Sequence, residues 1–153
     1  MKSIPLFVVL AFLVVGCDVK VQVGGAGTNP KTKKLDVKKP QKDAEAVVTA
    51  YFQAIATNGY AEAAALFGEQ AFQQMSREQW LQVQPEFVAK RGSYVSHKVK
   101  RSTVRLKTGT SDSTTTVVVE CQVTYSQHND METFSLIKGP ADADFKIVGH
   151  RNK

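Results

Sequence analysis

The sequence predicts an α+β domain in which three N-terminal helices pack on a four-stranded antiparallel meander sheet. Two features along the chain predict this fold class. Apolar residues recur at the spacing of a helix from about residue 44, and after Gly92 they recur at every second residue, as in a strand. The strands then follow one another through turns, which favours a meander over a parallel βαβ arrangement. At 153 residues, the chain has the length of one ordinary domain.

The first helix is predicted to begin after Asp43, because a carboxylate is a favourable N-cap. It is predicted to end at Asn58-Gly59, which supplies a residue in the left-handed conformation. Apolar residues at spacings of three and four define its expected buried face, which consists of Val47, Ala50, Tyr51, Ala54 and Ile55. A second, alanine-rich helix runs from Tyr60 to about Phe67.

The third helix is predicted from a capping box, Ser76-Arg77-Glu78-Gln79. In such a box, the side chains of the first and fourth residues bond the free backbone N–H groups of the first helical turn. We expect Trp80, Val83 and Phe87 to lie on the inner face of this helix. Pro85 is expected to break or kink it, because proline lacks a backbone N–H and clashes with the preceding turn.

Four strands complete the domain. The first spans residues 94–107, and a change of parity between Val99 and Val104 predicts a β-bulge near residues 101–103. Gly109-Thr110-Ser111-Asp112 forms the following turn. The inner faces of the other strands are given by alternating apolar residues: Val117, Val119, Cys121, Val123 and Tyr125, then Phe134 and Leu136, then Phe145 and Ile147.

The first 16 residues look like an export signal. Lys2 precedes fourteen uncharged residues, which are too few to span a bilayer but match the hydrophobic region of a signal peptide. The segment ends in Val14-Val15-Gly16-Cys17, which resembles the lipobox of bacterial lipoproteins. This resemblance implies cleavage before Cys17, its acylation with chains such as palmitate, and anchoring through membrane lipid. An ordinary signal peptide or a buried N-terminal strand is the alternative.

Residues 17–43 are predicted to be the lipidated cysteine and a tether. This stretch is rich in Gly, Pro and Lys, and it holds too few large apolar residues to offset the entropy of ordering. The domain at residues 44–153 would then face the periplasm or the cell exterior. Asp18 resembles the signal that retains lipoproteins in the inner membrane of enteric bacteria.

Composition excludes several classes of protein. A chain with 42% hydrophobic and 22% charged residues is neither disordered nor collagen-like. Most of the formal charge of +6 belongs to the tether, so nucleic acid is not an expected partner of the nearly neutral domain. The domain's one basic run is interpreted as an exposed strand whose charges face Asp112, Glu120 and Glu132 across the sheet. This run consists of Lys98, Lys100, Arg101, Arg105 and Lys107.

The domain resembles the nuclear transport factor 2-like superfamily, which has a cystatin-like cone fold. The resemblance rests on AVVTAYFQAIATNGYAEAAALF, SREQW, the long meander, an acidic residue before the third strand's Phe, and the closing FKIVGH. More narrowly, the chain is similar to the domains of unknown function that bacterial lipoproteins carry. The resemblance implies a strongly bent sheet and a pocket at the open end of the cone.

Four residues are candidates for lining that pocket: His97, Tyr51, Tyr125 and Trp80. Superfamily enzymes such as ketosteroid isomerases and scytalone dehydratases use inward-facing Asp, Tyr or His residues. Since no motif here matches either set, no catalytic residue is assigned. His97 alternates with Val95 and Val99 and is interpreted as a core or pocket-wall residue.

No metal or cofactor is expected from the remaining reactive residues. His128 falls in a predicted turn, and His150 has the opposite parity from Ile147, so the histidines do not converge. Cys121 lies on the apolar parity of its strand. Because Cys17 would be lipidated, Cys121 has no disulfide partner and is interpreted as a buried, inert thiol.

Three functions follow from these observations. The leading hypothesis is a lipid-anchored, non-catalytic binding or scaffold module of the cell envelope, which takes a small hydrophobic ligand or an envelope protein and self-associates through its sheet face. The second is a small enzyme of the isomerase or dehydratase type, which inward-facing acid and base groups around His97 would favour. The third is a structural accessory of the envelope without a ligand.

Overall fold

The predicted α+β fold is confirmed by a computed structural model that describes residues 37–107 and 113–152. The predicted signal segment, Cys17, most of the tether and the turn at residues 109–112 lie outside the described residues. The helices are α1 (Lys38–Ala56), α2 (Tyr60–Ala65), a short 3-10 helix (Glu69–Phe72) and α3 (Arg77–Arg91). The strands are β1 (Tyr94–Lys107), β2 (Thr114–Tyr125), β3 (Asn129–Lys138) and β4 (Lys146–Asn152).

Helix α1 begins earlier than predicted, and its buried face coincides only in part with the predicted one. It begins at Lys38, because Pro40 falls in the first turn, where no backbone N–H is needed. Asp43 is therefore not the N-cap, and its carboxylate accepts a hydrogen bond from Lys39 Nζ at 2.6 Å. Residues 38–43 thus belong to the helix. The buried residues of α1 are Ala44, Val48, Tyr51, Phe52 and Ile55. Of these, the predicted face contained Tyr51 and Ile55.

Helix α1 ends as predicted, and the chain that follows α2 covers one edge of the sheet. Asn58 supplies the left-handed residue, with a φ of 56°. After α2, the chain runs beside β4, where Phe67 and Ile147 form a parallel bridge. Gly68 N donates to Ile147 O at 2.9 Å, and Ile147 N donates to Leu66 O at 3.0 Å. These bonds satisfy backbone groups at the β4 edge that would otherwise be open.

Helix α3 has the predicted start, and its predicted inner face is observed in part: Trp80 packs against the core. The Ser76–Gln79 capping box is present, with bonds of 3.2 and 3.0 Å. Pro85 does not break the helix, which continues to Arg91. Gln84 is the buried residue among the α3 residues that the structure describes. Phe87, in contrast, is 42% exposed and lies beneath the Arg91 guanidinium. The predicted inner face was therefore wrong at Phe87.

The sheet is antiparallel throughout, in the order β1-β2-β3-β4. Helix α1 packs on its inner face. Alternation in β2 is as predicted, because each of its odd-numbered residues from Val117 to Tyr125 is buried. The side chains with no exposure on this face and on α1 include Phe52, Phe134, Leu136 and Ile147. They form one continuous apolar core.

Bulges change which residues of β1 and β4 face the core. The predicted β1 bulge lies at Lys100, and a second one at Val95 turns that side chain outward, so that it is 59% exposed instead of inward-facing. In β4, Ile147 pairs with Leu136, and Gly149 pairs with the next residue along β3, which leaves Val148 as the extra residue. The prediction for His150 was therefore wrong, because the bulge returns this side chain to the inner face.

Candidate functional site

His97 lies in the seam between α1 and β1. Its Nδ1 is 2.7 Å from the Tyr94 hydroxyl oxygen, and its Nε2 is 3.5 Å from Thr49 Oγ1. Its ring stacks on Phe52 at a centroid distance of 4.6 Å, and burial lowers the pKa of the imidazole. Within the described ranges, no carboxylate pairs with His97. His97 is thus a hydrogen-bonded residue of the domain wall.

The other candidates fall into two places. Tyr51 is buried edge-on against Phe134 and His150, with centroid distances of 5.2 and 5.3 Å. Tyr125 lies at the end of β2 in the same region. Trp80 is half-buried on α3, with its ring 5.4 Å from that of Phe67. The structure therefore brings Tyr51 and Tyr125 to one region, whereas Trp80 contacts Tyr51 only through the Phe67 ring that lies between them.

A buried carboxylate, that of Glu132, lies at the centre of this region. The Tyr125 hydroxyl donates to its Oε1 at 2.6 Å, and His150 Nε2 lies 2.7 Å from its Oε2. Glu132 was predicted to face the basic run on the outer surface, and this prediction was wrong. Its register partner is Cys121, on the inner face of β2, and its own parity is that of Phe134. Both facts direct its side chain toward the core.

Arg91 extends this cluster to the last turn of α3. Its Nη1 lies 3.5 Å from Glu132 Oε1, and its Nε lies 3.8 Å from Asp130 Oδ2. The Asp130 side chain is only 6% exposed. We call Arg91, Tyr125, Asp130, Glu132 and His150 the Glu132 cluster. It joins α3 to β2, β3 and β4.

The turn between α3 and β1 holds Arg91 in this position. Gly92 has a φ of +84°, which favours glycine, and a Cβ there would collide with Ser126 Oγ and the backbone N of Gln127. Ser93 N donates to Ser126 Oγ at 3.0 Å, and Gln127 N donates to Arg91 O at 3.2 Å. The end of α3 is thus bonded to the turn between β2 and β3.

The electrostatics of the cluster indicate an ionised Glu132. Burial alone would raise the pKa of this carboxyl, but the bonds from His150 and Tyr125 and the charge of Arg91 hold the pKa below its ordinary value. Burial and the nearby Glu132 charge raise the pKa of the Tyr125 hydroxyl, which therefore keeps its proton. Because an ionised carboxylate only accepts hydrogen bonds, His150 carries a proton on Nε2.

Both oxygens of Glu132 are therefore occupied, and its side chain has no exposed surface. His150 stacks flat on Phe134 at 4.3 Å and is 16% exposed, so the cluster reaches the surface at one edge. The sequence contained a signal for the inward orientation of Glu132. Asp130, Glu132 and Phe134 are alternate residues of one strand, so their side chains face the same side of the sheet. The sequence contained none for His150, since the β4 bulge is not visible in the alternation of apolar residues.

A depression of about 550 Å³ lies elsewhere, beside the short 3-10 helix. Its lining includes Gly68, Gln70, Ile137, Lys146 and Val148, and none of the four predicted pocket residues. In the part of the chain that the structure describes, no three His, Cys, Asp or Glu residues are grouped to hold a metal ion. No described helix combines the length and the apolar character that crossing a membrane requires.

Cys121 is buried and free, as predicted. Burial raises the pKa of its thiol to about 12, and the Glu132 charge acts in the same direction. The thiolate is the reactive form of cysteine, so this residue is inert at neutral pH.

Comparison with known proteins relates this chain to others by fold alone. No family model and no curated protein matches the sequence. Aln2 from a Streptomyces species is similar with a TM-score of 0.54 and 11% identity, over 78% of this chain and 93% of that one. A proposed dehydratase of the nuclear transport factor 2-like family from Streptomyces avermitilis matches with a TM-score of 0.45 and 8% identity, over 75% and 95% of the two chains. The likeness to Aln2 supports the fold of the domain.

Proposed function

We propose that this protein is an exported, lipid-anchored module whose domain binds or scaffolds other envelope components without catalysis. The state of Glu132 is the observation that carries the proposal. A general base must approach a substrate proton within about 3 Å, directly or through one water. Glu132 is fully buried, and its two oxygens already accept bonds from Tyr125 and His150. It is therefore a structural carboxylate.

The packing of the inner face supports the same proposal. Phe52, Phe134 and Leu136 have no exposed surface and fill the space between α1 and the sheet. His97, the expected base of an enzyme, is bonded to a tyrosine hydroxyl and not to a carboxylate. A ligand or partner would therefore be bound at the surface of the domain.

The membrane anchor is proposed from the sequence at Val14-Val15-Gly16-Cys17. Two or more acyl chains on Cys17 would hold the protein stably in a bilayer. Helix α1 begins at Lys38, so twenty residues separate the anchor from the helix. Even when fully extended, they limit that distance to about 70 Å.

Labelling with a fatty acid tests the anchor. Cys17→Ala should abolish incorporation of labelled palmitate into the full chain and release it from the membrane fraction. Cys121→Ala is the matched control, because its thiol is buried and should not accept an acyl chain. Labelling of the Cys17→Ala protein at the wild-type level would contradict the proposal.

An enzyme remains the second candidate, and the Glu132 cluster is the observation that favours it. Acid and base groups do converge on the inner face, around His150 and not around His97. In this function His150 Nε2 donates to Glu132, and the Nδ1 on the other side of the ring would accept a proton from a hydrophobic substrate. In this function Glu132 would be a positioning residue.

A β,γ-unsaturated ketosteroid is a suitable probe, because its isomerisation is followed by the absorbance of the conjugated product. The enzyme candidate predicts turnover that His150→Asn abolishes and His97→Asn leaves unchanged, with both variants folded. The non-catalytic proposal predicts a rate equal to that of the buffer for all three proteins. Turnover with the stated His150 dependence would replace the leading proposal.

A further inference from the structure

The two edges of the sheet differ in how they are protected. The β4 edge is covered by the backbone of residues 66–68, whereas β1 pairs in the described sheet with β2 alone. Four exposed basic side chains lie along β1, and its sequence contains no acidic residue. We call Lys98, Lys100, Arg101 and Arg105 the β1 basic edge. Lysines on an edge strand discourage pairing with other chains, but a row of four basic side chains also forms a binding surface.

Most of this charge is not neutralised within the domain. Arg101 lies 3.8 Å from Glu120 on β2. Across the described residues, Lys98, Lys100 and Arg105 have no salt bridge. On a strand that rises about 3.3 Å per residue, the basic edge extends over roughly 23 Å, which is wide enough to contact several lipid headgroups.

The start of the folded domain is directed toward the same edge. Thr49 of α1 lies beside His97 of β1, and Glu45, one turn earlier, accepts a bond of 2.6 Å from Ser102 Oγ. Helix α1 therefore runs antiparallel to β1, and its first turn is directed toward the Arg105 end. Val37, the first residue that the structure describes, immediately precedes this turn.

We propose that the β1 basic edge docks onto anionic headgroups of the bilayer that holds the protein. The inference rests on the proposed lipid anchor, which would keep this edge close to a membrane surface. A bilayer is favoured over a protein partner because the exposed side chains from Lys98 to Arg105 are basic or polar, and the exposed apolar residues Val95 and Leu106 lie outside this stretch. Protein interfaces, by contrast, are depleted of charge at their core. Docking would orient the domain with β1 toward the membrane.

Vesicle binding tests docking without the acyl chains. A chain that starts at Val37 retains every helix, strand and buried residue described above and lacks the earlier lysines. It should bind vesicles of 70% phosphatidylcholine and 30% phosphatidylglycerol, more weakly as salt rises, and should not bind pure phosphatidylcholine. Each basic residue near an anionic surface contributes roughly fivefold in affinity, so K98Q/K100Q/R105Q should weaken binding about a hundredfold.

The matched control is R77Q/K90Q/R151Q, which removes three positive charges from α3 and β4. It should bind within about threefold of the unaltered chain, with both variants melting as cooperatively as the parent. Unchanged binding by K98Q/K100Q/R105Q, or equal loss in the two variants, would overturn the proposal. So would equal, β1-dependent binding to heparin, which would identify a general polyanion site. Acyl labelling of the full chain is measured separately, so failure of the anchor and failure of docking are distinguishable.

Discussion

Replacing Glu132 by Gln should destabilise the domain by about 3 kcal/mol. Breaking a buried ionic cluster by removing one partner costs about 3–5 kcal/mol. Gln keeps the shape of the side chain and one acceptor for the Tyr125 hydroxyl, so the lower end of this range applies. Its NH₂ group, however, would face His150 Nε2, and its neutral head would leave Arg91 without the charge at 3.5 Å.

Urea unfolding followed by tryptophan fluorescence measures this change, because Trp80 is the sole tryptophan. In a domain of this size, the loss corresponds to a decrease in Tm of roughly 12 °C. Glu120→Gln is the matched control, since its carboxylate is partly exposed beside Arg101 and should contribute at most about 1 kcal/mol. A loss below about 1 kcal/mol for Glu132→Gln would refute the structural role. So would additivity with Tyr125→Phe, because bonded partners should be coupled.

Three further predictions concern pH, α3 and its C-terminal turn. The pKa of Glu132 is lower in the folded state, so its stabilisation is present above the unfolded pKa and is lost as pH falls through the folded one. The stability difference between wild type and Glu132→Gln should therefore shrink in urea titrations below about pH 4. Trp80→Ala should cost about 1–3 kcal/mol in calorimetry, less than a core tryptophan, because Trp80 is half-buried against Phe67; a cost above about 4 kcal/mol would contradict this. Gly92→Ala should cost more than about 1 kcal/mol, only partly recovered by adding Ser126→Ala; a neutral Gly92→Ala would show that the turn tolerates a side chain.

The fold was predictable because its signals are local. Alternation located β1 at its observed bounds, and the capping box located the start of α3. The boundary of α1 was missed because Pro40 was considered a tether residue, although proline is compatible with a first helical turn. Phe87 was missed because a helical pattern gives the spacing of apolar residues and not the neighbour that covers them.

The candidate site was less predictable, because it depends on irregularities of the sheet. A single extra residue reverses the orientation of every side chain after it. The bulge at Val148 does this for His150. In β1 the extra residue is Val95 itself, and its side chain faces outward although its spacing from His97 indicated the inner face. Glu132 needed no bulge. Its parity already indicated the inner face, but its charge favoured a surface interpretation, since a glutamate is rarely buried unless it is paired.

The position of α3 gives the Glu132 cluster a structural role that does not require a substrate. Gln84 is the buried residue of the described helix, and its apolar side chains are half-buried or exposed, so hydrophobic packing alone holds α3 weakly. Arg91 adds a second attachment, because its guanidinium in the last turn of α3 pairs with the buried carboxylates of Asp130 and Glu132 on β3. A buried ion pair adds little net stability compared with apolar side chains packed in the same place, but its bonds require a defined geometry between the two partners. The cluster therefore specifies where α3 ends on the sheet, which explains why its carboxylates are fully occupied.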